Sequence, residues 1–249
     1  LSDLAGRHVY ICLPSYDARV DLLCLHSALE TAADLSGRGV TITWDSIVDI
    51  LARGRNTALT RFWQNPAYTD FVMIDTDQGW ENDCVARLML RPVDCVAGLV
   101  RARCDPEQYP MRWLQDRPFL QAVDPLTGAP SEDGLLEIEA GGNGCFRLSR
   151  ECVRRMVEAY PDRAYDFHLV PGGVSHDLFA QGLHERGFWD EGLGFFRLWR
   201  AIGGRVWIDP HLKFCHAGRK VFGPSSVGDF LRRRPPEEFG ALPQLAAAQ

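Results

Sequence analysis

No apolar stretch of the chain approaches the roughly 18 residues that a membrane-spanning helix requires, so no segment is expected to cross a bilayer. A charged-then-apolar leader is also missing from the start. The expectation is a protein of the cytoplasm, or of the host cytoplasm if its source is a virus. Cysteine pairs at CxxC spacing do not occur. The cysteines fall singly at Cys12, Cys24, Cys84, Cys95, Cys104, Cys145, Cys152 and Cys215, several inside apolar runs such as Val9-Tyr10-Ile11-Cys12-Leu13. That distribution predicts buried free thiols in a reducing compartment and argues against a disulfide framework or a zinc site. A basic surplus is lacking too. The formal net charge is −6, so no global field would draw the chain onto nucleic acid, although a local basic cleft is compatible with it. Linkers and internal repeats are not evident, and Ala246-Ala247-Ala248 is the low-complexity stretch. What is present is the composition of a folded protein: 46% hydrophobic and 24% charged over 249 residues suit a single α/β domain.

Along the chain, buried-strand patterns alternate with helical ones. Residues 8–14 form an apolar run ending at Pro14, and residues 20–35 carry apolar side chains at helical spacing, with Asp17 upstream as a cap and Gly37 just beyond. Residues 40–44 are β-branched and alternate, residues 49–64 read as helix, and residues 71–74 form a third strand that runs into Asp75-Thr76-Asp77. A helix over 82–90 and a strand over 95–100 complete a βαβαβαβ order. The order predicts an α/β fold with a mostly parallel central sheet and helices on both faces. Ligands of such sheets bind beyond the carboxyl ends of the strands. The Pro14-Ser15-Tyr16 and Asp75-Thr76-Asp77 loops both lie at such ends and should face one cleft.

The pattern changes after Arg101. Residues 106–130 are rich in proline and offer only short strands; 135–140 alternate as a strand; Gly141-Gly142-Asn143-Gly144 is a tight turn. A helix follows over 149–160 with Ser149 as cap, then a long loop segment over 161–190, a helix over 190–202 and a strand over 205–209. One domain is expected over residues 1–230, with a binding half at 8–100 and a second half at 101–230. Residues 231–249 form a tail, poorly ordered from Pro235.

The chemistry centres on Ile74-Asp75-Thr76-Asp77. Two carboxylates one residue apart, just past a buried strand, can both turn toward one cation, and hard ions such as Mg²⁺ or Mn²⁺ take oxygen ligands and retain positions for phosphates. An Asp-x-Asp by itself is often a pair of solvated turn residues. Its company is informative. Here the chain resembles the GT-A glycosyltransferases, especially small soluble, family-two-like members such as those encoded by bacteriophages. The resembling stretches are residues 9–16, Arg55-Asn56, 71–80, 141–150 and 190–216, in that order along most of the chain.

The resemblance implies a GT-A fold and a metal-dependent transfer of a sugar from a nucleotide-diphosphate sugar to an acceptor hydroxyl. It places Pro14, Ser15 and Tyr16 at the nucleoside, with Tyr16 able to stack on a base. It places Arg55 and Asn56 near the donor sugar or diphosphate, where a planar, permanently charged guanidinium suits phosphate. Asp75 and Thr76 would contact the donor, and Asp75, Asp77 and His216 would hold Mn²⁺ or Mg²⁺. Gly142, within the 141–146 segment, would line the donor–acceptor junction, although a plain β-turn explains Gly-Gly-Asn-Gly equally well. Arg219 and Lys220 would close over the diphosphate, or form a solvated charge pair.

In inverting relatives an Asp ahead of the late helix is the catalytic base. Counting back from Phe195-Phe196, Glu191 falls at the Glu position and Gly192 at that of the customary Asp. Asp190 or Glu191 would then be the base, or the enzyme lacks one of this kind and is retaining; a capping acid is the plainer reading of Asp190. Asp177 is a further cleft acid. For the acceptor, the phage-like resemblance suggests a hydroxymethylated base in DNA, with a protein or polysaccharide acceptor left open. The basic stretches Arg101–Arg103 and Arg232–Arg234 would hold the backbone, with Tyr109, Trp113 and Phe119 to receive an extruded base. Two other functions compete. A nucleotidyltransferase would show a Gly-rich basic signature after the first strand, where this chain has Pro14-Ser15-Tyr16. A non-catalytic nucleotide-sugar-binding module would fit Gly192 at the base position.

Overall fold

The computed structural model describes residues 4–114, 121–141, 144–184, 187–218 and 220–233. Strand β1 (His8–Ser15) shows why the chain folds around a two-faced sheet. Val9 and Ile11 enter one core while Tyr10 and Cys12 enter the other, the period-two pattern of a strand covered on both sides. Helix α1 (Leu22–Gly37) follows; Asp21, not Asp17, caps it, accepting from the Leu23 N–H at 2.9 Å. Then come β2 (Thr41–Val48), α2 (Leu51–Gln64), β3 (Asp70–Ile74), the short β4 (Gln78–Trp80), α3 (Cys84–Leu90) and β5 (Cys95–Gly98). Helices α1 and α3 cover one face through Cys24, Leu35, Val85 and Leu88, and α2 covers the other through Leu59 and Phe62.

The second half is richer in strands than its sequence suggests. It contains β6 (Met111–Arg112), β7 (Leu136–Ile138), β8 (Ala140–Gly141), β9 (Cys145–Ser149), α4 (Arg150–Ala159), β10 (Ala164–Asp166), β11 (Val174–His176), β12 (Gly182–His184), β13 (Gly187–Trp189), α5 (Glu191–Ala201), β14 (Val206–Ile208), β15 (Phe214–His216), β16 (Phe222–Ser225) and α6 (Val227–Arg232). The central seven-stranded sheet has the order β2-β1-β3-β9-β5-β14-β7. Strands β2, β1, β3, β5 and β14 run in one direction; β9 and β7 oppose them. The fold is mixed α/β, with a largely parallel sheet flanked by helices.

Three sequence expectations need correction. Strand β9 was not anticipated, because Arg147 interrupts its apolar run. Its charge is met by Asp70, 0% exposed, which accepts from Arg147 Nε at 2.7 Å, and a paired charge is tolerated inside a sheet. The single strand expected over 135–140 is split: β7 joins the main sheet and β8 pairs with β6. The loop expected over 161–190 contains two small antiparallel pairs, β10–β11 and β12–β13. The expectation for the thiols holds for Cys12, Cys24, Cys84, Cys95, Cys145 and Cys152, which are free and buried. No described helix is long and apolar enough to cross a membrane.

Candidate functional site

The carboxyl end of β3 delivers Asp75 to a point where α2 and α5 also end their reach. The Asp75 N–H donates to Gly144 O at 2.8 Å, tying the β3 exit to the turn before β9. Arg55 of α2 is 1% exposed, and its Nη2 donates to Asp75 Oδ1 at 2.9 Å while its Nε lies 3.5 Å from Glu191 Oε1. A guanidinium thus sits between two carboxylates drawn from different elements. Burial pushes the Asp75 carboxyl up to about 6; Arg55 opposes this, while Asp77 and Glu191 add to it.

Asp77 and His216 meet because β4 and β15 pair antiparallel, with His216 opposite Gln78. The Ala217 N–H donates to Asp77 O at 2.7 Å and locks the register. Nδ1 of His216 lies 2.8 Å from Arg101 O, a carbonyl that can only accept, so Nδ1 carries the proton. Nε2 therefore presents its lone pair, and it does so 3.5 Å from Asp77 Oδ1, a buried oxygen that receives no hydrogen bond. Two lone pairs facing each other call for a cation. Arg103 supplies one from the side: its Nε–H donates to His216 Nε2 at 2.9 Å and its Nη2 to Asp77 Oδ2. Burial alone would raise the Asp77 carboxyl, but the Arg103 guanidinium beside it opposes this, and the group is held below the usual range.

The other candidates are dispersed around this pair of clusters. Pro14 is buried, Ser15 closes its loop by accepting from Arg19 N–H at 3.2 Å, and Tyr16 stands 73% exposed. Thr76 accepts from Asp21 N–H at 2.9 Å through its carbonyl, which joins the motif to the start of α1. Asn56 is 2% exposed. Its side-chain oxygen accepts from Leu178 and Phe179 N–H at 3.0 and 2.8 Å, and its amide donates to Asp177 at 3.1 Å, so it pins the 177–179 segment. Asp177 is half-exposed and also faces Arg163. Asp190 caps α5, accepting from Leu193 N–H at 2.8 Å, and is exposed. Partial desolvation lifts its carboxyl above the ordinary value, with the Leu193 amide, Arg55 and the Gly192 amide opposing and Glu191 adding. Lys220 pairs with Asp105 and lies over the Phe222 ring. Gly142 and Arg219 lie outside the described residues.

Of the aromatic residues expected to receive a base, Tyr109 and Trp113 are packed against the core. Tyr109 is 6% exposed, packs on Phe230 at 5.2 Å between centroids and donates to Glu107; Trp113 packs against the core. An extruded base could stack on Tyr109 only by displacing Phe230. Arg232 and Arg233 are paired with Asp229 and Glu107, and Arg101 donates to Cys104 O at 2.7 Å. Phe119 and Arg234 lie outside the described residues.

Two features were not legible beforehand. Arg103 lies in the basic stretch 101–103, and nothing local to residues 101–105 announces Asp77 or His216 as its partners. Gly144 serves close packing: a Cβ there would come 2.0 Å from Gln78 Nε2, so a side chain at 144 would require Gln78 or the turn to shift. Gly144 thus supports the motif loop directly. Among the described residues no group of three or more His, Cys, Asp and Glu side chains is gathered as a ready metal cage. Two cavities of about 350 and 400 Å³ lie elsewhere, the first beside Arg7, Asp94 and Arg147 and the second beside Leu136, His211 and Leu231; neither is lined by Asp75, Asp77 or His216.

No family model matches the chain, and no curated protein matches it. Several solved structures are similar in fold. A197 from STIV aligns with a TM-score of 0.49 and 15% identity, over 88% of this chain and 95% of that one. A Drosophila beta-1,4-galactosyltransferase 7 mutant, in complex with manganese, UDP-Gal and xylobiose, aligns with a TM-score of 0.44 and 14% identity, over 92% of this chain and 80% of that one. The 4-diphosphocytidyl-2C-methyl-D-erythritol synthase from Anaerococcus prevotii aligns with a TM-score of 0.36 and 10% identity, over 66% of this chain and 80% of that one. Likeness at this level does not place the chain in a family.

Proposed function

We propose that the protein is a metal-dependent glycosyltransferase of the GT-A type, moving a sugar from a nucleotide-diphosphate sugar to an acceptor hydroxyl. The observation that carries this reading is the pair of facing lone pairs on Asp77 Oδ1 and His216 Nε2, 3.5 Å apart at the carboxyl end of the sheet. The donor set fits a divalent ion: one carboxylate oxygen and one neutral imidazole suit Mn²⁺ better than Mg²⁺. Asp77 and His216 would hold the ion, and Asp75 lies beside them, presently turned to Arg55. With so few protein ligands, donor phosphates and water would fill the remaining positions. When bound, the ion would neutralise charge that develops on the departing diphosphate.

The chain's own groups then have distinct tasks. Tyr16, exposed beyond β1, offers a face for the nucleobase, with Pro14 and Ser15 fixing its loop. Arg55 orients Asp75 and Glu191 about the donor, and Asn56 holds the 177–179 wall. Thr76 and the 141–144 turn, Gly142 included, would border the sugar, and Arg219 and Lys220 would add charge near the diphosphate. Of the two acids at α5, Asp190 is the better base: it is exposed, and its carboxyl is lifted above the ordinary range although the cap amides oppose this. Glu191 is drawn instead toward Arg55.

The test is a screen of UDP- and GDP-sugars with Mn²⁺, scored by release of nucleoside diphosphate. Wild-type release that is lost in Asp77→Asn is expected. Binding without release would make the chain a non-catalytic module, and pyrophosphate release from a nucleoside triphosphate and a sugar phosphate would make it a nucleotidyltransferase. For the acceptor, transfer to hydroxymethylcytosine DNA is the arm that tests the phage-like reading, which rests on the sequence resemblance and gains nothing from Tyr109 or Trp113.

A further inference from the structure

The Arg103 guanidinium occupies the side of the Asp77–His216 pair from which charge compensation comes. It spans both groups, Nε to the imidazole and Nη2 to the carboxylate. Its aliphatic stem runs against Gly218, where an added Cβ would lie 3.0 Å from Arg103 Cδ. The surrounding loop is fastened to the same segment twice more, by His216 on Arg101 O and by Lys220 on Asp105. Arg103 itself is half-exposed, so its fork can leave these partners without unfolding anything.

A cation at Asp77 and His216 would compete directly with this fork. The single lone pair of His216 Nε2 cannot serve a metal ion and the Arg103 Nε–H at once, and two positive charges at contact distance repel. A metal ion arriving by itself must displace Arg103 and leave a guanidinium with no anion beside it. An ion arriving with a diphosphate brings new acceptors for that guanidinium, which binds phosphate oxygens in the same forked geometry as a carboxylate.

We infer that Arg103 is an exchangeable counter-ion that makes metal and nucleoside diphosphate bind together: it holds Asp77 and His216 in the free protein and passes to the diphosphate when the ion takes its place. This rests on the metal site proposed above. By linkage, the diphosphate must strengthen metal binding by the same factor as the metal strengthens diphosphate binding.

The experiment titrates Mn²⁺, followed by electron paramagnetic resonance and calorimetry, with and without UDP, in the wild type, Arg103→Ala, Arg103→Lys and Asp77→Asn. In the wild type UDP should tighten Mn²⁺ binding by about tenfold or more. Arg103→Ala should bind Mn²⁺ alone more tightly than the wild type and lose most of the UDP effect; Arg103→Lys should keep part of it. Circular dichroism and the melting temperature check that each variant is folded. Mn²⁺ affinity in Arg103→Ala equal to or weaker than wild type, or an undiminished UDP effect, overturns the role of Arg103. If Asp77→Asn binds Mn²⁺ as the wild type does, the metal site itself is wrong, and that outcome is separate from the first.

Discussion

Asp77 and His216 lie with Oδ1 and Nε2 3.5 Å apart, held there by the β4–β15 ladder and by the Ala217 N–H on the Asp77 carbonyl. The imidazole tautomer is fixed by Arg101 O, so the contact joins two electron-rich atoms. Such a contact gains from a cation and loses from its removal.

Replacing His216 with Ala or Asp77 with Asn should each weaken Mn²⁺ binding by at least the roughly tenfold to hundredfold that loss of a residue supporting a ligand costs. Calorimetry with Mn²⁺ and UDP measures this. Equal affinity in His216→Ala would remove the imidazole from the set.

Asp75 should behave as a costly functional group. Its folded pKa of about 6 lies above the unfolded carboxylate value, so the folded state holds its proton more tightly. That contribution to stability is fully present below about pH 4 and is lost as pH rises through 6. Ionised Asp75 then costs about 2 kcal/mol at neutral pH, allowing for its partial solvent contact. Asp75→Asn should therefore raise the melting temperature at pH 7.5 while abolishing donor turnover, and the gain should shrink toward pH 4. A melting temperature that falls at pH 7.5 would show that Arg55 needs the full charge of Asp75.

Asp190 and Glu191 should separate in kinetics. Asp190→Asn keeps a side-chain acceptor for the α5 cap and should lower kcat by about 100-fold or more with little change in donor KM, as removal of a general base does. Glu191→Gln should act mainly on donor KM, because it loosens Arg55. The reverse pattern would exchange the two roles.

Asn56→Ala should be a folding variant first. It strips the acceptor from two buried backbone N–H groups, those of Leu178 and Phe179, and should cost about 2 kcal/mol in urea unfolding. A loss of donor affinity without any loss of stability would return Asn56 to the donor.

Gly144→Ala places a methyl group 2.0 Å from Gln78 Nε2, so the Gln78 side chain or the turn must move. The expected cost is about 1–3 kcal/mol, together with weaker Mn²⁺ binding, because Asp75 hangs from the Gly144 carbonyl. Denaturant melts and Mn²⁺ titration of this variant read the two effects separately.

The alternation of strand and helix through the first half was legible because it is written in local periodicity: Val9 and Ile11 against Tyr10 and Cys12, Leu59 and Phe62 along one helical face. The same local pattern placed Asp75 and Asp77 just beyond a buried strand. Strand β9 escaped, since Arg147 looks solvated until Asp70 is found beside it. The partners within the site are likewise matters of tertiary geometry. That Arg55 is buried between Asp75 and Glu191, and that Arg103 bridges Asp77 and His216, depends on ladder register and on charge compensation between residues far apart along the chain. Periodicity records which face of an element is covered. It carries no record of which distant charge will come to rest against it.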